Sequence, residues 1–262
     1  EYIIFNGNNK TITINGTANY TGLFNNGSLT LNGYSNVTIK NLGVRNDGTT
    51  TIPQFAAWLG QIYFGKNATN VLFENCNSSG NIANNGGGIS GQYSNCSFIS
   101  CYSTGTIGAS GGGICGSNST CTITNSFSTG SIGGSGGGIC GGTSTCTVTG
   151  CYSLGAIGNN AGGICGANTN SIVTKCYSFG NTTSAGAGII GQNAGANTSV
   201  TNCYSLYATS LTGAVGLQFT GGTATLTNCY FASGTWSTTN AIASTALTNT
   251  PLYFSTTPIV AG

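Results

Sequence analysis

Between residues 71 and 231 the chain alternates short β-branched runs with glycine-rich turns on a fixed beat. GGGISG at 86–91 returns as GGGICG at 111–116 and 136–141, as AGGICG at 161–166 and as GAGIIG at 186–191, each 25 residues on. A second landmark runs NCN (75–77), SCYS (100–103), NSFS (125–128), GCYS (150–153), KCYS (175–178), NCYS (202–205) and NCYF (228–231), with steps of 25 four times, then 27 and 26. Each unit reads T-[IV]-T-x-C-Y-S-x-G-x-I-G-x-x-G-G-G-I-C-G, which predicts about three short strands joined by tight arcs. No helical spacing occurs.

A unit this short cannot bury its own apolar face, whereas a stack of units can. The fold class is therefore all-β: a single parallel β-solenoid with coils of about 25 residues, rising about 4.8 Å per coil. Stacking predicts three apolar files in the lumen: Phe98, Ile123, Val148, Val173, Val200 and Leu226; Ile107, Ile132 and Ile157; and Ile89, Ile114, Ile139, Ile164 and Ile189. The glycine triplets are expected at corners that need positive φ or close backbone approach. Residues 1–70 alternate less regularly (KTITIN at 10–15, SLTLN at 28–32, NVTIKN at 36–41) and predict wider N-terminal coils of the same solenoid. TIPQFAAWLGQIYF (51–64) reads as an insertion or lateral arm. Residues 71–231 form the regular repeat, and 232–262 a C-terminal cap or docking segment.

Composition narrows the chemistry. Of 262 residues only five are Lys or Arg and three acidic (Glu1, Asp47, Glu74), and there is no His. That leaves no carboxylate pair for glycoside hydrolysis and no base for a Ser or Cys nucleophile, so no catalytic residue and no cofactor is expected. Five cations do not hold nucleic acid, and no apolar run is long enough to span a membrane. With so little to titrate, stability should hardly depend on pH. The chain has no initiating Met and no apolar leader, which suggests a trimmed product.

The pattern G-G-I-x-G followed by N-C-Y-S-x-G resembles the GLUG-motif repeats of large bacterial and archaeal surface proteins, over about residues 70–230. The resemblance implies a right-handed β-helix at a cell surface and carries no catalytic residue.

Twelve cysteines fall in three columns. Column one is Cys76, Cys101, Cys151, Cys176, Cys203 and Cys229, interrupted by Ser126; column two is Cys96, Cys121 and Cys146; column three is Cys115, Cys140 and Cys165. Columns two and three flank one arc. Pairing at i, i+6 gives Cys115–Cys121 and Cys140–Cys146 and orphans Cys96 and Cys165. Pairing at i, i+19 gives Cys96–Cys115, Cys121–Cys140 and Cys146–Cys165, and the neighbouring coils lack both members together (Val71 and Ser90; Ser171 and Ile190), which favours it. Column one either packs as thiols or bridges axially (Cys76–Cys101, Cys151–Cys176, Cys203–Cys229). A metal site is not expected, because C-x₂-C pairs are missing. Disulfides imply an oxidising compartment. The N-x-[ST] sequons barely exceed what this composition produces; Asn118 and Asn197, in arcs, with Asn67 and Asn181, are the candidate glycosylation sites.

The leading expectation is an extracellular structural protein that assembles with itself into a sheath, fibre or layer. Trp58, Tyr63, Phe64, Trp236, Tyr253 and Phe254 would dock the next subunit. A second reading is an adhesin in which Tyr102, Phe127, Tyr152, Tyr177, Tyr204 and Tyr230 stack on glycans, with strand parity leaving open whether Cys or Tyr faces in. A third is ice binding by TCTIT (120–124) and TCTVT (145–149), an array that neighbouring coils interrupt.

Overall fold

The computed structural model describes residues 1–16, 18–182, 185–205, 210–212, 216–218 and 224–231. The segment 232–262, with Trp236, Tyr253 and Phe254, lies outside them.

Three longer strands begin the chain: β1 (Ile3–Ile14), β2 (Val37–Asn46) and β3 (Val71–Ser78). Most later coils contribute a three-residue strand, T-x-T at 122–124, 147–149 and 225–227, and a two-residue strand, Y-S in most. These are β4 (Ser97–Ile99) and β5 (Tyr102–Ser103), β6 (Thr122–Thr124) and β7 (Phe127–Ser128), β8 (Thr147–Thr149) and β9 (Tyr152–Ser153), then β10 (Ile172–Thr174) and β11 (Tyr177–Ser178). The next are β12 (Ser199–Thr201) and β13 (Tyr204–Ser205), the separate pair β14 (Ser210–Thr212) and β15 (Gly216–Gln218), and finally β16 (Thr225–Thr227) and β17 (Tyr230–Phe231). Among the described residues there is no helix, and every strand pairing is parallel. The long strand β3 pairs both β4 and β5, so one ladder divides into two.

This is a parallel β-solenoid. Phe98 pairs Ile123, Ile123 pairs Val148 and Val148 pairs Val173, 25 residues apart. The N-terminal strands are offset by more: Val37 faces Ile3 and Val71 faces Val37, 34 residues apart.

The lumen holds the expected apolar files, but they do not form one core. Phe98, Ile123 and Val148 pack with Ile89, Ile114, Ile139 and the cysteines. Ile82, Ile107, Ile132 and Ile157 form a separate small cluster with Ala161. At the Gly wall, a Cβ added to Gly113 would lie 2.6 Å from Ser128 Cβ and 2.0 Å from the Gly138 carbonyl oxygen. Glycine there permits close approach of two walls. The left-handed corners belong instead to other residues: Ser100, Asn125, Gly150, Lys175 and Asn202 form one column, and Asn85, Ser110, Ser135 and Asn160 another. Asn tolerates this conformation better than other L residues, which accounts for much of the Asn content.

The reading of 51–64 as an arm is overturned. Ala57 bridges Gly87 and Gly60 bridges Ser90, so this segment is the Gly wall of its own coil. Trp58 and Phe64 are fully buried rather than docking residues. The Trp58 indole occupies the space beside Gly80, and its Nε1 donates to the Gly80 carbonyl at 2.9 Å. Tyr63 stands half-buried at a left-handed corner, stacked on Tyr93.

Candidate functional site

Two features carry chemistry: a sulfur-lined lumen and an aromatic ladder on the outer wall. Both follow from the dipeptide C-Y after a left-handed corner. Strand alternation sends consecutive side chains to opposite faces, and here Cys faces the lumen and the aromatic faces out.

Column one is a hydrogen-bonded ladder. The Cys151 amide donates to Cys176 Sγ, and the Cys176 amide to Cys203 Sγ, both at 3.4 Å. Each sulfur also donates to carbonyl oxygens, as Cys101 does to Phe73 and Ile99 at 3.5 Å. Burial pushes the Cys101 thiol well above its usual range.

Columns two and three face each other across one end of the lumen. Cys115, Cys121 and Cys146 place their sulfurs within 4.8 Å of one another, and Cys115 Sγ lies 3.9 Å from Cys146 Sγ. All twelve cysteines are buried thiols. The short approach joins residues 31 apart, a spacing that sequence columns alone did not single out. Serine carbonyls receive the thiols: Cys121 donates to Ser94 at 3.4 Å and Cys146 to Ser119 at 3.7 Å. The neighbouring thiols of Cys115, then Cys121 and Cys140, hold Cys146 well below the ordinary thiol range. Burial, reinforced by Cys115, pushes Cys121 well above it. Column two edges towards the surface, with Cys96 and Cys121 on the lining of a shallow groove between Asn70, Asn95, Thr120 and Thr145. Among the described residues no charged side chain is buried.

The outer ladder stacks Tyr102 on Phe127, Phe127 on Tyr152 and Tyr152 on Tyr177, with centroids 4.8–4.9 Å apart and planes within 4°. The rings are half-buried against one another and open to solvent on one side. Tyr204 continues the file in the backbone register with Tyr177, and Phe179 packs against both rings. The Tyr230 side chain lies outside the description.

The T-x-T face carries a file of Thr124, Thr149, Thr174, Thr201 and Thr227. Its neighbouring file is broken by Ile172, which is 49% exposed. Asn67, Asn181 and Asn197 are exposed, but Asn118 is half-buried at a left-handed corner, its amide nitrogen bound to the Gly142 carbonyl. Asn118 is therefore the least accessible of the four sequons. No helix among the described residues is long and apolar enough to cross a membrane.

Comparison with protein-family models, with curated proteins and with solved structures returned no match.

Proposed function

We propose that this chain is an extracellular structural subunit that stacks with copies of itself, end to end, into a fibre, sheath or layer. One observation carries the reading. β1 pairs only with β2 in the described structure, and its open edge is rich in exposed apolar residues: Tyr2, Ile3, Ile4 and Phe5, 42–81% exposed. Leu29, Leu31 and Tyr34, in the connection between β1 and β2, are exposed as well. An unpaired edge of this kind templates another strand, and a parallel coil is its natural continuation. A contact between opposite ends does not close and yields an open filament. With a formal net charge of +2, repulsion between copies is weak.

The likeness to GLUG-repeat surface proteins supports a cell-surface location and a right-handed winding, the hand that twisted parallel strands favour for their crossovers.

Negative-stain microscopy and light scattering of the full chain test the assembly. The wild type should form filaments or sheets, and Ile4→Lys, at a 61% exposed position, should give monomers. A wild type that stays monodisperse at high concentration would remove this reading.

The aromatic ladder favours a second reading, glycan binding, because a continuous file of half-exposed rings with phenol hydroxyls runs along the outer wall. Binding to a glycan array that is lost in Tyr152→Ala would select it.

A further inference from the structure

We propose that the reduced lumen binds one soft monovalent metal ion, Cu(I), on the sulfurs of Cys115, Cys121 and Cys146. This goes beyond the assembly reading and does not depend on it.

Geometry comes first. Three sulfurs converge from two coils, all within 4.8 Å of one another, the closest pair at 3.9 Å. A metal held in a triangle of sulfurs at about 2.3 Å per bond needs sulfurs about 4 Å apart, so the site is close to formed before any ion arrives. A disulfide there would use two of the three sulfurs and leave one over.

Ligand chemistry selects the class. Thiols without imidazole or carboxylate favour soft ions. Zinc takes four ligands in a tetrahedron; Cys140 borders Cys115 and Cys146, but the set of sulfurs that are all mutually close is the triangle of Cys115, Cys121 and Cys146. The sulfur that ligates a metal is the thiolate. Binding therefore releases the S–H protons of the three cysteines to solvent and forms three sulfur–copper bonds, with no change of oxidation state.

Surroundings and access are also present. Serine carbonyls hold Cys121 and Cys146 in place. The groove of about 460 Å³ whose lining includes Cys96 and Cys121 gives a path from solvent to the column-two side of the cluster.

The test uses the full chain, reduced and kept anaerobic, titrated with Ag(I) as a redox-inert stand-in and with Cu(I). Bound metal is counted after dialysis, and sulfur-to-metal absorbance is followed in the near ultraviolet. The wild type should retain one equivalent. Cys115→Ser, Cys121→Ser and Cys146→Ser should each weaken retention at least tenfold. Cys203→Ser should leave it unchanged. Serine already stands in these columns at Ser90 and Ser171, so the variants should fold. A readout without variants is thiol alkylation of metal-loaded wild type, in which those three residues should be protected together. No uptake, uptake unchanged in the three variants, alkylation without selective protection, or Zn(II) retained in preference to Ag(I) would each overturn the proposal.

Discussion

The Cys101 amide donates to the Ser126 hydroxyl at 3.1 Å, and the Ser126 amide in turn donates to Cys151 Sγ at 3.4 Å. Oxygen and sulfur thus do the same work in column one. Each side chain accepts the amide of the coil below at a buried corner, and Ser126 keeps the ladder intact where the cysteine pattern breaks. What the column needs is an acceptor, and an axial disulfide would remove the thiols from this role.

Cys151→Ser should therefore be nearly neutral, whereas Cys151→Val should lower stability by about 1–3 kcal/mol, the range for a buried amide left unpaired. Denaturant unfolding of the two variants side by side checks this. Equal losses would show that packing, not the hydrogen bond, sets the requirement.

Glycines that look alike in the repeat should behave differently. Gly113→Ala forces a methyl to within 2.0 Å of the Gly138 carbonyl oxygen and should lower stability by about 3 kcal/mol or more. At Gly134 the nearest atom is 3.4 Å from the new Cβ and φ is not positive, so Gly134→Ala should be neutral or stabilising by about 0.4–1 kcal/mol. Midpoints of thermal unfolding should move in opposite directions or differ by several degrees. Ser103 and Ser128, which face this wall, bury hydroxyls with no hydrogen-bond partner. Ser128→Ala should accordingly be neutral or slightly stabilising.

Lys175 occupies, at φ +55°, a corner that Asn fills at positions 41, 75, 125, 202 and 228. The left-handed conformation costs most L residues about 1–2 kcal/mol. Lys175→Asn should raise stability by up to about 1 kcal/mol, measured by denaturant midpoint, and a loss would mean that the lysine stem contributes packing.

Alkali should act first through the buried thiols and then through the phenols. Cys101, Cys121 and Cys176, held by burial well above the ordinary thiol value of 9.0, contribute stability that is complete below pH 9 and lost above it. Burial raises Tyr20 and Tyr177 to about 12, from a model-compound value of 10.0. The folded state thus prefers the neutral phenol. Its contribution is complete below pH 10 and is lost as pH climbs from 10 to 12. Absorbance at about 295 nm, which reports tyrosinate, should rise late for these two, with loss of β-sheet circular dichroism following the same window. Between pH 5 and about 8, below the range in which unfolded thiols ionise, the unfolding midpoint should hardly move.

The stack was readable because a file such as Phe98, Ile123 and Val148 repeats its apolar character at one fixed interval, and parallel pairing with no slip converts that interval into contact. The corners were not readable in the same way. Glycine triplets drew attention to φ, yet they serve wall-to-wall approach, and Asn125 or Ser100 makes the left-handed turn. Trp58 was misplaced because AAWLG shares little with GGGIS apart from its register; only the bridge from Ala57 to Gly87 aligns the two. The thiol cluster was hidden for another reason. Columns give the vertical neighbours of a residue, but the distance from Cys115 across to Cys146 depends on how tightly the arc between them folds, and no interval in the chain reports that.

The direction of the inter-coil hydrogen bonds has a mechanical consequence. They run along the stack, so Ile123 is tied to the coils above and below it and to nothing further away. Pulled by its two ends, the chain would meet the load one coil at a time, and bonds would part in sequence as in peeling. Each regular coil released would lengthen the chain by roughly 80–90 Å, for 25 residues at 3.3–3.6 Å each. Loaded across the stack, many rungs would share the same force. The protein should therefore be weak to tension along its axis and stiff to shear across it. In a wall or sheath, that difference would set the orientation in which the subunit bears load.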